Sequence, residues 1–233
     1  MGIRRSVWLA AVFLAILAIS SNARAQGTEP PGGTAQTTVS PGKVTGVLTD
    51  RLNKSQLKAW KSIMVIVLAK DGEGRPVHPA LYGLYHQAAT SGHEIQIEVS
   101  MQRSTLRAVG FCRIERHTEG AQKQVVLIRL NLGMIDRAIA SELTRRADGF
   151  IPFEGLKKKE RYAEALGHEL AHVVRLLTNP EYRGLYLQRQ ALADTGSQDI
   201  QVIGRLTSSI EKPAEAAEVE IWRELTAGRE PKM

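Results

Sequence analysis

The chain has a single cysteine, Cys112, so no disulfide can close within it, and its stability must come from a core or a bound metal. Aromatic residues are scarce at 5%, and they are not interleaved with the scattered lysines and arginines. That excludes the stacked basic surface of a nucleic-acid binder, and no nucleic acid is expected as a partner. Charge of one sign is also limited: the formal net charge of +7 falls to +4 from Gln26 onward, because Arg4, Arg5 and Arg24 precede that point. The one basic run, Lys157 to Lys159, reads as the solvated first turn of a helix. Internal repeats are absent, and no apolar run reaches the roughly 20 residues of a membrane span. What remains, 43% hydrophobic and 24% charged over 233 residues, suits one compact globular domain.

The N-terminus combines Arg4-Arg5, an apolar run from Val7 to Ile19, and Ala23-Arg24-Ala25 before Gln26. These are the three parts of a secretory signal peptide, so residues 1–25 are expected to be removed on export to a periplasmic or secreted location, with no stable membrane insertion afterwards. Residues 26–43, rich in Gly, Pro, Thr, Ser and Gln, are expected to form a flexible leader. The domain would then span residues 44–233.

Within it, Ser55 can cap a short helix to about Trp60, followed by a buried strand over the β-branched run Ile63 to Leu68. Pro79 to Ala89 is weakly helical. Ile95, Ile97 and Val99 alternate with polar residues as a half-buried strand does. Ala108 to Arg116 and Val125 to Leu132 read as the arms of a hairpin joined around Glu119-Gly120. Cys112 shares a strand face with Ile114, which favours a buried structural thiol over a nucleophile. From about Leu156 the period becomes helical. The fold expected is therefore α+β, with a small mixed or antiparallel sheet followed by a motif helix and a C-terminal helix.

The chemistry is concentrated in His168-Glu169-Leu170-Ala171-His172, an H-E-x-x-H pattern among small and apolar neighbours, ended by Thr178-Asn179-Pro180. Helix positions four apart project from nearly the same face, so both imidazoles can reach one ion about 2 Å away. Glu169, one residue on, can take a proton from a water that the ion has acidified. His78, His86, His93 and His117 have no paired spacing and are not expected to be ligands.

In this motif helix, and in the layout of sheet first and a further ligand later, the chain resembles the zincin metallopeptidases. The resemblance implies His168 and His172 as ligands of one Zn2+, Glu169 as general base and a peptide or protein as substrate. It also implies a groove beside an edge strand, for which Val125 to Leu132 is the candidate. The metzincin extension is missing, since Val173-Val174-Arg175-Leu176-Leu177 follows the motif, so the third ligand must lie elsewhere. Ser209 and an early Pro213 mark the start of a later helix whose apolar stripe contains Glu218. A carboxylate on a buried stripe needs a partner or a metal, which makes Glu218 the expected third ligand, an arrangement similar to the gluzincins although their N-E-x-x-S-D signature is absent. Glu215 is the next choice, as ligand or as the carboxylate orienting an imidazole. Asp199 would give an aspzincin-like set. Tyr182, Tyr186 and Arg223 are candidates for stabilising an oxyanion. The sequence thus predicts an exported zinc metallopeptidase; the competing reading is a zinc-binding interaction protein that keeps the scaffold without turnover.

Overall fold

Residues 47–101, 110–116, 124–140, 155–196 and 199–229 are described in the computed structural model. The expected export signal and leader, His117, the Glu119-Gly120 turn and Ser197-Gln198 lie outside them. Four strands and six helices are found among the described residues, an α+β fold.

Strands β1 (Val47–Leu48), β2 (Glu94–Ser100), β3 (Gly110–Arg116) and β4 (Val125–Asn131) form one mixed sheet in the order β1-β2-β4-β3. β2 runs parallel to β1 and to β4, whereas β3 and β4 pair antiparallel, as the hairpin reading expects. The predicted alternation holds on β2, where Ile95, Ile97 and Val99 are buried. One expectation is corrected here: Val125 to Leu132 is not an edge, because β4 lies between β2 and β3 and Leu132 already begins a helix. The edge beside β4 is β3.

Helix α1 (Lys54–Val67) replaces both the short helix and the strand expected there. Asn53 is its cap: its side chain accepts hydrogen bonds from the Ser55 and Gln56 amides, and the Gln56 side chain accepts from the Asn53 amide. The β-branched run then continues helically because Trp60, Ile63 and Val67 fall on one buried face while Val65 points to solvent. Burial at helical spacing outweighs β propensity. Helices α1 and α2 (Pro79–Ala89) precede β2, so the first half of the chain is less strand-rich than its apolar runs suggest.

Helix α3 (Leu132–Ala140) leaves β4 directly. The motif lies on α4 (Lys158–Thr178), which packs against α1, α2 and the last helix and crosses β3 and β4. Asn179 ends α4 and caps α5 (Pro180–Asp194), accepting from the Tyr182 amide, with Pro180 in the first turn where its missing N–H costs nothing. The last helix, α6 (Ile200–Thr226), starts at an Asp199 cap and runs through Pro213. Ser209 is therefore not its beginning. Buried residues of these helices and of β2 to β4 join in one hydrophobic core, which includes Ile97, Ile128, Leu166, Leu170 and Ile221.

Helix α5 closes the outer edge of β3. The Tyr186 hydroxyl donates to the Cys112 carbonyl at 2.6 Å, and the Gln190 side-chain amide both accepts from the Ile114 N–H and donates to the Ile114 carbonyl. Arg113 adds a two-pronged ion pair to Asp194.

Candidate metal centre

Two close helix contacts build the site. Gly167, immediately before the motif, has no side chain where α4 meets α6: a Cβ there would lie 2.3 Å from Ile221 Cδ1 and 3.1 Å from Leu81 Cδ1. This brings α6 against the next turn of α4, with His168 facing Glu218 and His172 facing Glu211. The two helices run antiparallel along this seam.

His168 Nε2 and His172 Nε2 stand 3.1 Å apart, and Glu211 Oε2 lies 3.3 Å from each of them. These atoms form the one group of His, Cys, Asp or Glu donors, among the described residues, close enough to hold a metal ion. The third member is thus Glu211 and not Glu218. Two donors each 2.0–2.1 Å from a tetrahedral ion stand about 3.3 Å apart, so the triangle has the dimensions of one face of such a site.

Each member is oriented through its remote atom. Glu218 Oε2 accepts from His168 Nδ1 at 2.9 Å. The Tyr182 hydroxyl donates to the Ile210 carbonyl at 3.1 Å, so its oxygen accepts from His172 Nδ1 at 2.6 Å. With both Nδ1 atoms engaged as donors, both Nε2 atoms are left to face Glu211. Glu211 Oε1 in turn accepts from Arg189 Nη1 at 3.0 Å.

Burial shapes the protonation. It opposes charge on His168, but the Glu211 and Glu218 hydrogen bonds outweigh it and hold this imidazole's pKa well above the usual range. Burial dominates at His172 and pushes its pKa down. Burial also opposes the Glu211 carboxylate, yet His172, His168 and Arg189 together hold it well below its ordinary value. The result is a compact cluster in which one carboxylate and two imidazoles face one another.

Glu169 is buried, with its pKa pushed up to about 7, first by desolvation and further by Glu211 and Glu218, against the pull of His168 and Arg189. It faces β3: a Cβ on Gly110 would lie 2.7 Å from Glu169 Oε1. Glycine at that position is what lets the carboxyl lie against the strand.

The other expected residues fall elsewhere. Glu218 is at the site but orients His168, the role considered for Glu215, which is itself exposed. Asp199 caps α6 through the Val202 amide. Tyr182 and Tyr186 have their hydroxyls committed to protein groups and do not face outward, and Arg223 is exposed in the last turn of α6. His78 precedes α2, His86 stacks on Tyr82, and His93 Nδ1 accepts from the Gln124 amide. Cys112 is buried with its Sγ 3.1 Å from the Tyr186 hydroxyl, and burial pushes its thiol pKa up, away from nucleophilic use. The sequence reading missed Glu211 and Arg189; Glu211 had a signal, since it lies seven residues before Glu218 and so on the same helix face. No family model, curated protein or solved structure matches this chain.

Proposed function

We propose that this chain is an exported zinc-dependent hydrolase of peptide bonds, with His168, His172 and Glu211 holding one Zn2+ and Glu169 serving as general base. The observation that carries the reading is the convergence of two Nε2 atoms and one carboxylate oxygen within 3.3 Å, each fixed from behind by a named partner, beside a buried carboxyl. Two imidazoles and one carboxylate with room for a water are the donor set of catalytic zinc, while closed structural sites take four protein ligands, usually with cysteine. Such an ion supplies a water of near-neutral pKa and polarises the scissile carbonyl.

Glu169 then accepts the proton of the attacking water and hands it to the departing amine. A carboxyl whose surroundings hold it near neutrality suits both transfers. The motif helix, the later glutamate and the adjacent sheet are what a gluzincin-like scaffold would supply. Of the outward main-chain positions on β3, Cys112 and Ile114 are occupied by α5, so an extended substrate would meet the strand at Gly110, next to Glu169. The signal-like pattern of residues 1–25 supports a substrate outside the cytoplasm.

The decisive variant is Glu169→Gln, which keeps shape and removes the base. It should retain one equivalent of zinc by elemental analysis and the wild-type melting temperature, while cleavage of unfolded protein and of a peptide library falls by roughly 10²–10⁴-fold. Loss of zinc in this variant, or a zinc-loaded wild type with no cleavage dependent on Glu169, would favour the zinc-binding interaction protein instead.

A further inference from the structure

The Arg189 side chain is largely buried, and its Nη1 donates to Glu211 Oε1 at 3.0 Å. Its guanidinium also lies over the Tyr186 ring, 4.7 Å from the centroid, and that ring is fixed in turn by the Tyr186 bond to the Cys112 carbonyl. Arg189 thus approaches the site from α5 on a side chain with little freedom, and it meets the one oxygen of Glu211 that does not face the imidazoles. A carboxylate beside a zinc ion can bind through one oxygen or both, and binding through both adds a donor that crowds the position a catalytic site keeps for water and raises the coordination number.

We propose that Arg189 is a positioning residue that keeps Glu211 a one-oxygen ligand and so keeps the fourth metal position open. This rests on the reading of His168, His172 and Glu211 as a metal site. The planar fork of arginine suits that role, because it holds Oε1 along a fixed direction while stacked on Tyr186, whereas a lysine ammonium at the end of a flexible stem would hold it only as a point charge. The three partners then divide the work, Glu218 on His168, Tyr182 on His172 and Arg189 on Glu211, two of them from α5.

The experiment uses the purified full chain as wild type, Arg189→Gln, Arg189→Lys and, as a control on the exposed face of α6, Arg205→Gln. Zinc affinity is measured by competition with a coloured chelator, and coordination is read from the visible d–d absorption of the Co2+-substituted protein. Arg189→Gln should bind zinc roughly 10- to 100-fold more weakly. Its Co2+ bands should lose intensity as the second Glu211 oxygen enters and the coordination number rises. Arg189→Lys should keep much of the affinity but show the same weakened bands, and Arg205→Gln should match wild type in both readouts. If Arg189→Gln does not fold, the Arg189→Lys spectrum decides. Wild-type bands in the folded Arg189 variants would overturn the inference while leaving the metal site standing. A wild type that binds neither Zn2+ nor Co2+ would overturn both.

Discussion

At the scale of single residues, His168 and His172 meet because four helix positions turn both imidazoles to one side, with their Nε2 atoms 3.1 Å apart, while Glu169 turns toward β3. The third donor of the cluster, Glu211, depends on how far a second helix slides along the first. A buried carboxylate on an apolar stripe pointed to the face of α6 that Glu211 shares, but it singled out Glu218, which lies outside the donor cluster. Glu218 satisfies its burial by accepting from His168 Nδ1, two turns from Glu211. Removing each should separate these roles. Glu211→Ala should abolish retention of zinc through gel filtration, whereas Glu218→Ala, which only frees the imidazole to rotate, should weaken it about 10- to 100-fold. The opposite order, measured by chelator competition, would return the ligand role to Glu218. Arg189 left no trace in the sequence, and Tyr182 stood out only as an oxyanion candidate and not as the partner of His172, since nothing before the fold places α5 beside α6.

At the scale of elements, local signals were sufficient where one reading satisfied both propensity and burial, as on β2 and α4. They failed where the two conflict. The run Ile63 to Val67 has the composition of a strand, yet a capping box at Asn53 had already started a helix whose buried face that run completes. Pro213 misled in the other direction: proline is common in a first turn, and reading it so placed the start of α6 at Ser209, whereas the helix begins at Ile200. The seam between α4 and α6 offers a test at this scale. Gly167→Ala sets a methyl against the fully buried Ile221, and such overpacking costs about 1–3 kcal/mol. The melting temperature should fall by roughly 3–10 °C. Zinc affinity should fall with it, because α6 carries both Glu211 and Glu218. A variant with unchanged melting temperature would mean that α6 shifts without loss, and the seam would not be what sets the ligand geometry.

At the scale of the whole molecule, the described end of the chain is tied back onto the start of the motif helix. Arg229 donates to both the Gly155 carbonyl and the Glu160 carboxylate, and Glu160 also accepts from the Lys157 amide at 2.7 Å. Burial alone would raise the Glu160 pKa, but these donors outweigh it and hold the carboxyl below its ordinary value of 4.5. A lowered folded-state pKa adds stability that is fully present above the unfolded value and is lost as pH falls through the folded one. Thermal unfolding followed downward from neutral pH should therefore show a decline beginning near pH 4.5 that is shallower in Glu160→Gln than in wild type. Parallel curves for the two proteins would show that the tie contributes nothing to acid stability. The same closure of exposed ends holds for the sheet. One flank is β1, only two residues long, and on the other the Cys112 carbonyl and the Ile114 amide and carbonyl already bond to α5. An open strand flank recruits further strands, from neighbours as readily as from a ligand, and leads to stacked aggregates. A chain with no disulfide to lock it gains from such sealing, because, among the described residues, the β3 flank offers incoming chains few open backbone groups.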